Sequence, residues 1–143
     1  MKWHLFIALF SLLAFTNCST DTNETPKAYV TYWHLVKVSG GIAGVNTIFE
    51  KDAIVWHFND ATSKLTVKNK NTNETIEDGL DTGNYTFSIT EVGSDKFLNI
   101  NSNEFGGFTL TQTALVIDQN KISNGTGADG FVYTFKLVVA IEK

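Results

Sequence analysis

Large apolar side chains recur at every second position along much of this chain, and that spacing limits its fold more than any other feature. Ile54, Trp56 and Phe58 form one series, and Leu65 and Val67 a second. Tyr85, Phe87 and Ile89 form a third, and Phe131, Tyr133, Phe135, Leu137 and Val139 the longest. Successive side chains of a strand point to opposite faces, so each series puts its large groups on one face of a pleated ribbon. No window sustains an apolar helical period. Asn59-Asp60, Asn69-Lys70-Asn71, Asp81-Thr82-Gly83, Gly93-Ser94-Asp95 and Gly106-Gly107 read as turns between the runs. Strands are predicted at about Val30–Val38, Val45–Phe49, Ala53–Phe58, Lys64–Asn69, Gly83–Thr90, Lys96–Asn101, Gly107–Thr111, Ala114–Asp118 and Phe131–Val139. Strands this short and this closely spaced imply a meander closed into a barrel, or a sandwich.

The segment before these strands reads differently. Lys2 precedes an apolar run from Leu5 to Phe15 broken only by Ser11, after which come Thr16, Asn17 and Cys18. Such a run is short for a bilayer span and fits an export signal over residues 1–17. Cys18 is the only cysteine, so no intramolecular disulfide can form. Residues 18–27 are polar and unpatterned and read as a tether, leaving residues 28–143 as one domain. A lone cysteine between an apolar run and a polar stretch resembles a bacterial lipoprotein signal, with Asn17 in a style similar to lipoproteins of the Bacteroidetes. That resemblance implies cleavage before Cys18, acylation of its thiol (the group palmitate analogues would label) and of its new amino group. It also implies a lipid anchor in the outer membrane, with either face open.

Charge narrows the partners. Without Lys2, ten lysines face 15 acidic residues, and arginine is absent. Nucleic-acid binding wants a basic face and usually arginine forks for phosphate, so that class is set aside.

Trp33 opens the first strand within Trp33-His34-Leu35-Val36-Lys37-Val38, and Lys136 lies in the last, within Tyr133-Thr134-Phe135-Lys136-Leu137. This arrangement resembles the lipocalin (calycin) superfamily, in particular small bacterial lipocalin-like lipoproteins. The resemblance implies an all-β, antiparallel up-and-down barrel of about eight strands. It also implies that Lys136 packs across the Trp33 ring to close one barrel end. The loop holding Gly40, Gly41, Ile42 and Gly44 would then lie over the open mouth.

The remaining residues offer little chemistry. His34 and His57 each lie opposite large apolar neighbours and are expected to face outwards, with no third ligand at metal-binding spacing. No serine nucleophile elbow occurs, and the carboxylate pairs fall in turns. No catalytic residue, metal or cofactor is assigned. The aromatic content carries the functional expectation. Trp56, Phe58, Tyr85, Phe87, Phe108 and Tyr133 are candidates to line an interior pocket for a small hydrophobic ligand, with Tyr85 or Tyr133 as a polar handle. The competing expectation is a barrel filled by these rings, acting through surface loops on a protein partner that the sequence does not identify.

Overall fold

The computed structural model describes residues 29–141, so the leader over 1–17, Cys18 and the 18–27 tether lie outside the described residues. The described residues form strands and turns with no helix. In chain order the strands are β1 (Tyr29–Gly40), β2 (Val45–Ile48), β3 (Ile54–Asn59), β4 (Lys64–Asn69), β5 (Gly83–Val92) and β6 (Asp95–Ile100). They continue with β7 (Asn103–Leu110), β8 (Ala114–Asp118), β9 (Lys121–Ile122), β10 (Gly125–Thr126) and β11 (Phe131–Ile141).

Strands β1, β3, β4, β5, β6, β7, β8 and β11 follow one another around an antiparallel sheet, and β11 pairs back onto β1. The sheet is therefore an all-β up-and-down barrel. β2 pairs with the second half of β1, from Lys37↔Ile48 to Gly40↔Val45, while β3 pairs with the first half at Trp33↔Trp56. Together β2 and β3 act as one barrel strand, interrupted by an excursion over residues 49–53.

Closure is the longest ladder in the molecule, running from Tyr29↔Ile141 to Gly40↔Phe131 with one irregularity between Leu35 and Lys37. That irregularity solves a problem of parity. Leu35 and Val38 are both fully buried, yet they lie three residues apart, and strict alternation would put them on opposite faces. Their partners Phe135 and Tyr133 are two apart and share the inner face. Val36 is the extra residue that reconciles the two strands, a β-bulge. Its carbonyl accepts a hydrogen bond from the Phe49 N–H at 3.0 Å, which anchors the start of the excursion.

The inward series form one core: Trp56, Leu65, Leu98, Leu115, Ile117, Tyr133 and Phe135 are all essentially inaccessible. Each such side chain contributes about 1.5–3 kcal/mol relative to exposure. The outer face is also partly covered. Phe97 faces outwards yet is buried, because the β9–β10 hairpin folds over its Cα partner Gly107. A Cβ on Gly107 would stand 2.7 Å from the Lys121 Cβ, so only glycine admits this approach. Gly106 and Gly107, expected as a turn, lie inside β7, where the ladder to β6 shifts register.

Deleting Val36 should leave Leu35, Lys37 and Val38 in regular alternation. That variant is expected to stay folded at a cost of about 1–3 kcal/mol for the lost contact and hydrogen bond. Deleting Thr134 breaks the Tyr133–Phe135 alternation and should abolish cooperative unfolding. Near-ultraviolet dichroism and urea titration of the two variants check the contrast.

Candidate functional site

The barrel has two unlike ends. At the end where β1 stops, inward aromatic rings crowd together. Trp56 lies 4.9 Å from Phe135 and 6.1 Å from Phe105, and Phe105 lies 5.6 Å from Tyr133, between ring centroids. The long connection between β4 and β5 folds in beneath them and packs Ile76 and Leu80 against the core. Its shape is fixed by side chains: Asp78 Oδ2 accepts from the amides of Asn69 at 2.9 Å and Asn71 at 2.7 Å. Tyr133 ties the connection to the barrel by donating its hydroxyl to Glu77 Oε1 at 2.7 Å. The indole N–H of Trp56 is buried here with no acceptor among the described residues.

The glycine loop belongs to this closed end. Gly41 has φ of 70°, and a Cβ there would stand 2.5 Å from the Phe131 ring. The Gly41 N–H donates to the Gly130 carbonyl at 3.1 Å, while Ile42 is 88% exposed. Gly40, Gly41, Ile42 and Gly44 therefore sit over packed rings at the end away from the recess, with Ile42 directed to solvent.

At the opposite end, where β1 begins, a recess of about 580 Å³ opens. Trp33, Phe58, Phe87, Ile89, Phe108 and Leu110 line it. Phe58 meets Phe87 edge-on at 5.0 Å and Phe108 edge-on at 6.3 Å, giving the recess an aromatic wall. Thr31, Asn59 and Asp60 supply polar atoms. Of the described residues lining it, Tyr29, His57 and Asp60 carry titratable groups.

The six aromatic residues named as ligand candidates are thus divided. Phe58, Phe87 and Phe108 line the recess, whereas Trp56 and Tyr133 lie fully buried in the packed half. Tyr85 is half-buried, and its hydroxyl donates to the Asp81 carbonyl at 2.9 Å, away from the recess. Burial and then Asp81 hold the Tyr85 pKa above its usual value. Neither tyrosine hydroxyl serves the recess as a handle. Trp33, Ile89 and Leu110 join the wall without having been singled out for it, and of these Ile89 continues the third series. Its place followed from the alternation with Tyr85 and Phe87.

Trp33 and Lys136 do not meet. Trp33 is inward and pairs with Leu137, while Lys136 pairs with His34 and is exposed on the outer face. Alternation along β11 explains this, since Phe135 and Leu137 occupy the inner positions on either side of Lys136. Closure rests on the ladder and on apolar contact.

The two histidines face outwards by parity but differ in surroundings. His57 donates Nδ1–H to the Thr31 carbonyl at 2.9 Å, bridging β3 to β1. His34 was expected in solvent and is buried, because the excursion after β2 folds over it. Its Nδ1 lies 2.8 Å from Asp52 Oδ1, close but without the alignment of a hydrogen bond. No cluster of three or more histidine, cysteine, aspartate or glutamate side chains is arranged to hold a metal ion among the described residues. Set against family models, curated proteins and solved structures, the chain matches none.

Burial, and then the Glu77 carboxylate, raise the Tyr133 pKa far above the ordinary tyrosine value. An acid whose pKa rises on folding holds its proton more tightly in the native state. Its contribution is intact below the unfolded value of about 10 and is lost as pH rises above it. Tyr133→Phe should cost about 1.5–3 kcal/mol at neutral pH, for a hydrogen bond to a charged group. The deficit should shrink above pH of about 10, where only the parent chain must ionise a buried phenol. Urea midpoints of both proteins across that range decide it.

Proposed function

We propose that this chain is a non-enzymatic, lipid-anchored protein of the bacterial outer membrane. In this reading it is a lipocalin-like barrel that holds a small apolar ligand in its open half. The observation that carries it is the recess at the end where β1 begins, about 580 Å³ in volume and walled by Trp33, Phe58, Phe87, Ile89 and Phe108. Ligand pockets commonly fall between about 300 and 1,000 Å³, a range that includes this recess, whose lining mixes apolar side chains with the polar groups of Thr31, His57, Asn59 and Asp60. The anchor rests on the sequence around Cys18, with its preceding apolar run and following polar stretch.

The packed half supports the same reading from another side. With Trp56, Phe105, Tyr133 and Phe135 carrying the core, the open half can change its contents without unfolding the barrel. A rigid floor and a wall of aromatic edges suit a flat or chain-like hydrocarbon. Thr31 and Asp60 near the mouth suit a polar end that remains wet.

The test is native mass spectrometry of the protein purified from its own host. A co-purifying lipid or apolar metabolite is the expected result, and Ile89→Trp should weaken its retention by about tenfold or more by filling the recess, a change of about 1.4 kcal/mol. A chain that purifies empty and binds no apolar fluorophore favours action through surface loops instead. For the anchor, Cys18→Ser should abolish labelling by palmitate analogues and release the protein from the membrane fraction. Retention of that variant in the membrane overturns the acylated-cysteine reading.

A further inference from the structure

The apolar side chains that the barrel leaves exposed are not spread evenly. Tyr29 is 67% exposed, Leu110 56%, Val139 53%, Ile141 52% and Val92 47%. These five lie at the end where the recess opens, at the start of β1 and the ends of β5, β7 and β11, whereas the two other exposed large apolar residues, Ile42 and Ile48, lie toward the closed end. Four of the five continue inward-facing stripes beyond the point where the core stops. Tyr29 and Thr31 follow from Trp33, Val139 and Ile141 from Phe135 and Leu137, and Leu110 from Phe108. β11 pairs with β8 only as far as Lys136↔Ala114, so its last residues have β1 alone as a neighbour and form a two-stranded lip. An inward stripe with nothing inside it to cover is an apolar rim around the mouth.

We infer that this rim rests on the lipid bilayer, so that the recess opens towards the hydrocarbon phase instead of towards water. The inference depends on the lipid-anchored reading given above, and three observations select the bilayer as the occupant. The chain enters the barrel at the rim, through Tyr29. Ten residues lie between Cys18 and Tyr29, a length that reaches at most about 36–40 Å even fully extended, so the rim cannot stand far from any lipid on Cys18.

Charge also distinguishes the ends. At the mouth, Lys64 and Lys96 stand among Asp60, Glu91 and Asp95, with Lys96 paired to Glu91 at 2.8 Å. At the closed end, the connection between β4 and β5 alone carries Glu74, Glu77, Asp78 and Asp81 against Lys70. Both sets are net negative, but the mouth is the less acidic, so an anionic lipid surface repels it less than the closed end. Finally, the rim mixes aliphatic residues with a tyrosine, an amphipathic ring suited to the headgroup boundary. A barrel seated this way takes a lipid-derived ligand directly from the membrane, without passage of its apolar part through water.

The test uses the protein isolated from its host membranes and reconstituted into vesicles of phosphatidylethanolamine and phosphatidylglycerol. Part of the lipid carries brominated acyl chains, which quench tryptophan emission at short range. Trp33 lies in the recess and Trp56 in the packed half, so quenching that disappears in Trp33→Phe reports the mouth. Strong quenching in the parent protein, lost in Val139→Asp with Ile141→Asp, is the expected result; neither residue lines the recess. Intact mass reads the acylation of Cys18 in the same sample. An acylated protein that floats with the vesicles but shows no Trp33 quenching overturns the docking and leaves the anchor standing. An unacylated protein that does not float overturns the anchored reading and the docking with it. A rim-mediated dimer, dispersed by the two aspartates with no change in quenching, assigns the rim to a second copy and also overturns the inference.

Discussion

The pairing of the first strand with the last decides this structure. Without it the meander is an open sheet whose two edges, β1 and β11, present long rows of free backbone donors and acceptors. Such edges recruit other strands, and closure removes both at once. The ladder joins residues about a hundred positions apart, so its loop-closure cost is met before its own non-local contacts repay it. It is also where the sequence departs from simple alternation. Leu35 and Val38 can both reach the interior only because Val36 bulges, and the bulge in turn holds Phe49 and the start of the excursion that covers His34. One extra residue in one strand thus sets the inner register, fixes an outer hydrogen bond and buries a histidine.

The difference between the two ends follows from what packs against stripes that run the full height of the barrel. On β1 the inward residues pass from Val38 and Leu35 through Trp33 to Thr31 and Tyr29, and on β11 from Tyr133 and Phe135 to Leu137 and Val139. Trp56, Phe105, Tyr133 and Phe135 pack together at one end, whereas Trp33, Phe58, Phe87 and Phe108 stand around the recess at the other. Eight strands enclose a space that side chains can just fill, so an end that gains no plug from a connection can keep a recess. The sequence supplies such a plug only at the closed end, where the β4–β5 connection brings in Ile76 and Leu80 and is held by Asp78 and Glu77.

Much of this was legible because period-two alternation is a direct imprint of the pleat. The strands from Lys64 to Asn69 and from Ala114 to Asp118 fell where the pattern placed them, and so did the inward direction of Phe58, Phe87 and Phe108. What stayed hidden has a common cause: it depends on contacts between segments that carry no period. Ile76 and Leu80 are single apolar residues in a polar stretch, and nothing local marks them as a plug. The β9–β10 hairpin is too short to alternate, and its reason for existing is the bare surface that Gly107 leaves on the outer face. Lys136 shows the opposite error. Its own strand pattern put Phe135 and Leu137 on the inner face, and that alternation already set Lys136 outside, against an expectation drawn from likeness alone.

The distribution of polar interactions completes the division between the ends. Side-chain hydrogen bonds that fix loops gather at the closed end, among Asn69, Asn71, Asp78, Asp118, Asn120 and Gly130. The Asn71–Asp78 bond braces the β4–β5 connection internally and the others tie a connection to another part of the chain, and a half-buried network of this kind rigidifies what it joins. Around the recess the corresponding bonds are few and local, such as Thr62 N–H to Asn59 Oδ1 and Ala114 N–H to Thr111 Oγ1. A connection held only by its own turn can shift with little disturbance to its neighbours. The barrel therefore concentrates its plug and its loop cross-links at one end, and leaves the other with an aromatic wall and turns held locally. Stability and access are separated along a single axis, which lets a domain of this size keep an opening into its core without weakening the part that folds it.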